Sequence, residues 1–396
     1  MPKRPTRRRR ITVVQPYVPH YRVPFFGRVR ERLDAADCTL EVLHGPPPPS
    51  VAARRDAAPC AGAVQVPTRQ LTAPGGRSLF WHQVWPRAIA ADAVVLEQAL
   101  HNLEAYWLLL RQRMQSAAGP AAPRIAFWGH GRTYTAETSR LQAVAKDAVT
   151  RRANWFFAYT ERGAAHVAAR GFPGDRITVL RNCVDTTELA EARGRADVPG
   201  TREHAEAAEL RERHRLVAGR TALFVGGLDT PKRIGFLLEC ARRLGTALPG
   251  FRLLVAGDGA DRELVAAAVG TDSPVVALGH RVARDVALLG AVSDVMLMPG
   301  RVGLCAVDSF ALRTPILTTD WPWHAPEFEY LQDGRNAVVT RDDVAAYAAA
   351  VQALLTDRAR LASLRLACRE DAIDYTVDGM AARFCNGLLG MLERDA

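Results

Sequence analysis

Residues 295–320 read VMLMPGRVGLCAVDSFALRTPILTTD. The apolar run Val295–Met298 stops at Pro299 and Gly300, a helix-like stretch follows, and a second strand-like run covers Pro315–Asp320. Two such runs joined by a helical segment are the signature of a parallel sheet covered on both faces. Gly300 and Gly303 frame Arg301 and Val302, and one acid, Asp308, sits inside an otherwise apolar helix. A glycine corner lets a ligand approach the backbone, and an acid among apolar residues calls for a partner.

The same rhythm extends in both directions. TALFVGG (221–227), FRLLVAGDG (251–259) and PVVALGH (274–280) precede the opening stretch. The first half carries ITVVQPY (11–17), CTLEVLHG (38–45), AVVLEQ (93–98), RIAFWGHG (124–131), WFFAYT (155–160) and ITVLRN (177–182), with amphipathic stretches between them. Residues 46–75, with GPPPPS and TAPGG, read as a loop region bordering a cleft. Residues 187–219 are charged and poor in β-formers, and read as a linker ending in a helix. The expected fold is α/β: two Rossmann-like doubly wound domains facing each other across a cleft. The first covers 11–186 and the second 220–375, after a basic leader over 1–10; a C-terminal helix over 376–396 crosses back to the first. Ligands in such sheets bind outside the carboxyl ends of the strands, so the chemistry belongs at the ends of these runs.

Bulk properties narrow the function. A chain of 396 residues is long enough for two cores, and no apolar run reaches membrane-spanning length. The apolar stretch after the basic start is broken by Pro16, Pro19 and His20, so a cytoplasmic protein is expected. Residues 3–10 carry six of the basic charges behind a formal net charge of +10. They read as a solvated, disordered leader that can also make loose peripheral contact with an anionic membrane. No basic and aromatic residues interleave elsewhere in the manner of a nucleic-acid site. The seven cysteines are dispersed, without a C-x-x-C pair, and read as reduced packing thiols and not as a metal site. Of 52 basic residues only Lys3, Lys146 and Lys232 are lysine.

Three strand ends of the second half are glycine-rich: VGGLDTPKR, AGDG and MPGRVGL. A helix starting at such a turn directs amide N–H groups and the positive end of its dipole at an anion, and Lys232 adds a compact positive charge. Together they describe a diphosphate site. The ordered set FVGGLDTPKR, FRLLVAGDG, VVALGHRV and the opening stretch resembles the donor domain of the retaining family 4 glycosyltransferases of the GT-B fold, over most of 221–340. The resemblance implies that Lys232 meets the donor diphosphate at the turn of Gly226 and Gly227, and that Gly303 and Leu304 present amides to the phosphates. It implies that Asp308 holds the ribose hydroxyls. It further implies that Gly257, Asp258, Gly259, His280 and Arg281 line the nucleoside. A nucleoside diphosphate sugar would be co-substrate, with no metal and no other cofactor.

Two positions depart from that pattern. The family's first acid, eight residues before Asp308, is Gly300 here, and the arginine usual in the first glycine turn is Gly227. Arg301 or Arg233 is the candidate to compensate, through its planar fork of donors. In the first half, His130 between two glycines is expected near the donor sugar or acceptor, and His20, Arg22 and Glu97 are placed on the acceptor side by the strand-end rule. Trp321, Trp323 and His324 are candidates to shape the sugar pocket. The implied reaction moves a hexose-type sugar to a glycan-lipid or small-molecule acceptor with retention, driven by electrostatic stabilisation of the leaving diphosphate. The alternatives are a catalytically degenerate partner protein of the same fold, which the two lost donor residues would permit, and a sugar-nucleotide epimerase.

Overall fold

The computed structural model describes residues 7–47, 57–73, 77–114, 122–132, 134 and 139–394. The chain forms two compact units: residues up to Asn182 together with those from Val377 onward, and Cys183–Thr376.

The first unit contains β1 (Arg9–Gln15), β2 (Cys38–His44), β3 (Ala63–Gln65), β4 (Thr68–Ala73), β5 (Arg77–His82), β6 (Ala93–Glu97), β7 (Arg124–Gly129), β8 (Trp155–Ala158) and β9 (Ile177–Val179). Among the described residues, β3-β2-β1-β6-β7-β8-β9 form one sheet, and β4 and β5 a separate antiparallel hairpin. The strands of the large sheet pair in parallel. Both faces are covered, as such runs require. On one side Phe25 packs against Trp128 and Phe384, with ring centroids 5.4 Å apart in each case. Phe384 also lies 4.6 Å from Phe157. A second cluster, built from Val14, Leu43, Leu96, Leu108, Phe127 and Phe156 among others, fills another part of the core. Phe384 belongs to the helix Val377–Glu393, so the C-terminal segment completes the core of the first unit.

The second unit contains β10 (Thr221–Val225), β11 (Arg252–Ala256), β12 (Val275–Gly279), β13 (Val295–Leu297), β14 (Ile316–Thr319) and β15 (Ala337–Thr340), in the order β12-β11-β10-β13-β14-β15. All pair in parallel, with Ala222 opposite Val295 where β10 meets β13. Strand order reverses there, and in the first unit between β1 and β6. A crevice opens at the carboxyl end of such a reversal because successive helices depart to opposite faces. The switch points thus fall at Gly226 and Gly300 in the second unit, and near His20 and Glu97 in the first.

Three expectations need correction. Residues 1–6 of the basic leader lie outside the described residues, but Arg9 and Arg10 begin β1, with Arg9 opposite Cys38. Arg7 and Arg8 pair with Asp92 and Asp34 at 3.5 and 3.1 Å. Residues 187–219 are not a linker. They form the helices Thr187–Ala196 and Arg202–Arg213, packed on the helix Ala283–Val292 of the second unit. The stripe Leu189, Ala192 and Ala196, which is buried, is narrow enough to be hidden among the charges of this stretch. Within 46–75, β3 and β4 replace the expected loop, while residues 48–56, 74 and 75 lie outside the described residues. TRQLTA pairs antiparallel with RSLFWH, Thr68 opposite His82 and Ala73 opposite Arg77. No helix of the described residues is long and apolar enough to cross a membrane.

Candidate functional site

In the second unit, β10 ends at Gly226 and the chain turns through the short 3-10 helix Thr230–Lys232. The Lys232 ammonium donates to the Arg301 carbonyl at 2.7 Å. It lies beside Gly226, where an added Cβ would stand 3.9 Å from Nζ. One of the three ammonium donors is thereby used, which fixes the group while leaving two for an anion. The Arg301 N–H in turn donates to the Pro231 carbonyl at 2.8 Å. The turns after β10 and β13 are therefore one hydrogen-bonded body.

That body explains Gly300. A Cβ there would lie 2.3 Å from the Pro231 carbonyl oxygen and 2.6 Å from the Lys232 carbonyl carbon. The space an acid would need is filled by the backbone that carries Lys232. Gly227 is different: its nearest neighbour would be the Asp229 carboxylate at 3.4 Å, an ordinary contact, so packing does not forbid a side chain.

Asp308 lies in the first turn of the helix Cys305–Leu312. Its half-buried carboxylate has no hydrogen bond or ion pair within the protein among the described residues. Burial pushes its pKa up to about 7, and only the Lys232 charge pulls it back. Such a group is costly to hold ionised without a partner. Gly303 and Leu304 precede it, and the first amides of a helix have no intrahelical acceptor. Lys232, Gly303, Leu304 and Asp308 thus stand on the two turns that meet at the switch point, around an acid that only the Lys232 charge offsets.

The two candidate arginines have distinct surroundings. Arg233, in a left-handed conformation (φ 57°), pairs with Asp342 and stacks 4.5 Å from the Phe236 ring centroid. This commits its guanidinium to structure. Arg301 uses Nε to donate to the Trp323 carbonyl at 3.0 Å. Its terminal nitrogens have no protein partner among the described residues. His324 is a strut and not a pocket wall: Nδ1 accepts from the Val302 N–H at 3.0 Å, and Nε2 lies 2.9 Å from the Thr319 carbonyl, to which it donates in that tautomer. Burial lowers its pKa, in keeping with a neutral ring. Sequence reasoning missed this role, since a histidine strut leaves no periodic signal.

Gly257 and Gly259 serve packing. Cβ atoms on them would meet the Gly226 and Leu228 carbonyl oxygens at 1.9 and 2.3 Å. The Leu228 N–H donates to the Asp258 carbonyl at 2.9 Å, and the Asp258 carboxylate accepts from the Gly259 N–H at 2.8 Å. These glycines join two strand ends through close backbone contact, which by itself requires glycine at both positions. The Gly257 N–H donates to the Gly279 carbonyl at 2.9 Å, which brings the exposed His280 and Arg281 alongside the same turns. Arg281 lies 4.0 Å from Asp285.

In the first unit, His130 follows β7 with its ring 4.4 Å from that of Tyr159. Neighbouring protein atoms, then Lys146 and Arg22, lower its pKa, although the residue is exposed to solvent. Lys146, half-buried on the helix Arg140–Thr150, has its own pKa lowered by burial, while Asp147 and Glu97 oppose that shift. It was legible only as one of three lysines. Glu97 ends β6 and accepts from Asn102 at 3.4 Å. His20 is exposed, edge-on to Tyr21. Arg22, expected to face the acceptor side, is turned into the core of its unit. It is buried, donates to the Asn182 side chain at 2.6 Å, and stands among the rings of Tyr21, Phe25, Trp128 and Tyr159 at 5.1–5.8 Å. Its position after Pro19, at the start of a helix and not at a free strand end, turns it into the core.

Comparison with known proteins bears on the fold and on the second unit. Residues 219–357 match the family of glycosyl transferases group 1. No curated protein matches the chain by sequence. Among solved structures, a glycosyltransferase from Rickettsia africae ESF-5 superposes with a TM-score of 0.67 at 12% identity, covering 98% of this chain and all (100%) of that one. Anabaena Alr3699/HepE in complex with UDP gives 0.64 at 13% identity, covering 96% and 100%. A TarM variant from S. aureus, in complex with fondaparinux, alpha-GlcNAc-glycerol and UDP, gives 0.60 at 8% identity, covering 97% and 100%. The chain has the GT-B fold.

Proposed function

We propose that the protein is a glycosyltransferase that takes a hexose-type sugar from a nucleoside diphosphate sugar and delivers it to a glycan-lipid or small-molecule acceptor with retention of configuration. The observation that carries this reading is Asp308: a half-buried carboxylate without a protein partner among the described residues, one helical turn from the amides of Gly303 and Leu304. In this reading it accepts both ribose O–H bonds, which are of the stronger, charge-assisted kind. Lys232 and the helix N-terminus take the diphosphate, and the charge that develops on the leaving oxygen falls on groups already held in place. Arg301 supplies the second positive charge through its terminal nitrogens. His130, neutral at pH 7, accepts or donates a hydrogen bond to a sugar or acceptor hydroxyl. Charge neutralisation by these groups calls for no metal. UDP is the nucleotide favoured, because HepE and TarM were both crystallised with it.

One observation favours a second reading. Gly300 has no room for the acid that the resemblance places there, and a partner protein that binds nucleotide without catalysis would tolerate that loss. Incubation with UDP-, GDP- and dTDP-sugars separates the two. Transfer predicts a rise in melting temperature with one nucleotide, slow donor hydrolysis, and a product whose anomeric coupling matches the donor's. Binding without hydrolysis or transfer to any acceptor supports the partner reading, and no thermal response to any donor refutes both.

A further inference from the structure

The helix Leu103–Met114 buries Glu104, Ala105, Leu108 and Leu109, yet its outer side is not polar. Trp107, Leu110 and Met114 are 50%, 46% and 73% exposed, and Tyr106 lies beside them. At spacings of three and four they form one stripe. The β4–β5 hairpin extends it: Arg69 pairs opposite Trp81 and Leu71 opposite Leu79, so these four share a face. Trp81 and Trp85 both meet Trp107 edge-on, at 6.3 and 6.5 Å, and the Arg111 guanidinium lies 6.0 Å from the Trp85 ring. Exposed apolar patches of this continuity mark an interaction site.

Charge selects the occupant. Arg69, Arg111 and Arg113 stand on these elements. The acid of the helix, Glu104, is turned inward, where it accepts from the His82 ring nitrogen at 2.9 Å with both groups buried. We propose that this aromatic and arginine face is the surface by which the protein lies on an anionic lipid bilayer. Tryptophan and tyrosine rings settle at the headgroup level, where one edge is apolar and the other wet, and arginines there face lipid phosphates. A second copy of the chain is disfavoured, because a twofold contact would set the arginines against themselves. The inference stands apart from the donor-site reading.

Co-sedimentation of the full chain with vesicles tests it, using phosphatidylcholine alone or phosphatidylcholine with one third phosphatidylglycerol. The protein is expected to sediment with the anionic vesicles only, and less at high salt. The double variant Trp107→Glu, Leu110→Glu should weaken this partition by about tenfold or more. Deletion of residues 2–6 should leave most of it. Both substitutions are at exposed positions, and an unchanged melting temperature and nucleotide affinity show that the fold is kept. The proposal is overturned if the intact chain ignores anionic vesicles or if the double variant binds them undiminished. It also fails if the deletion alone abolishes binding, or if the double variant instead dissociates a dimer in analytical ultracentrifugation.

Discussion

Nucleotide affinity should rise with pH through neutrality, and Asp308 should be the cause. Its pKa is raised by burial to about 7, and in the proposed role it is the ionised form that accepts the ribose hydroxyls. The ionised fraction is then about 0.1 at pH 6 and about 0.9 at pH 8, so affinity should increase about tenfold, or roughly 1.4 kcal/mol. Titration calorimetry with UDP over this range measures it. The phosphate titrates nearby, so 2′,3′-dideoxy-UDP is the control: it shares the diphosphate and lacks the ribose contact. The slope assigned to Asp308 is the difference between the two ligands, and in Asp308→Asn that difference should vanish.

Stability must move the other way. The folded pKa exceeds the unfolded value of 3.8, so the native state holds its proton more tightly, and ionisation destabilises the fold as pH rises from about 4 to 7. The ceiling of this penalty is roughly 4 kcal/mol, lessened because the carboxylate is partly solvated. Asp308→Asn should therefore melt higher than wild type at pH 8, and no higher below pH 4, while binding UDP more weakly. If the variant keeps the wild-type pH difference between the two ligands, Asp308 does not hold the ribose.

Other substitutions test the frame around that acid. Gly300→Glu should lower stability by about 1–3 kcal/mol or more through overpacking and should not raise transfer, as urea denaturation and donor turnover will show. Replacing His324 with alanine leaves the Val302 N–H without its acceptor, at a cost of about 1–3 kcal/mol. Because the His324 pKa is depressed in the fold, its contribution is present above the unfolded value of 6.5 and fades as pH falls, so the wild-type advantage over His324→Ala should shrink in acid. Arg301→Ala should reduce turnover strongly with the melting temperature nearly unchanged; full turnover would remove Arg301 from the reaction. Arg22→Ala should do the reverse, lowering the melting temperature and leaving UDP affinity at wild type.

Strand ends were legible where the strands are uniform. VMLMPG, TALFVGG and FRLLVAGDG announce their fold because both faces of a parallel sheet are buried and each run must end in a turn. The helices within 187–219 were hidden because only a narrow stripe of each is apolar, and a charged surface helix resembles a linker in composition. Lys232 and Asp308 stood out because each contradicts its surroundings: a lysine in an arginine-rich chain and an acid in an apolar helix. The burial of Arg22 was hidden for a related reason. Burial among four aromatic rings can hold a guanidinium without a carboxylate, and nothing in local sequence distinguishes that from a charge facing a cleft. The His324 strut was invisible because its partners are backbone groups, which carry no residue signature.

The glycines at 300 and 257 show why a pattern match cannot be read one letter at a time. Gly257 looks like room for a ligand, yet the space in front of it belongs to the Gly226 carbonyl; Gly300 looks like a lost acid, yet its space belongs to Pro231 and Lys232. The second case couples two roles. Lys232 is fixed through the Arg301 carbonyl, and Arg301 through the Pro231 carbonyl, only because nothing projects from position 300. An acid there would push this turn away and carry the ammonium with it. No side chain projects at position 300, and the cation is held against the neighbouring strand end. Restoring the acid should therefore weaken UDP binding, since the gain of a carboxylate comes with displacement of Lys232. A Gly300→Glu variant that keeps wild-type UDP affinity would show that the ammonium is positioned independently of this contact.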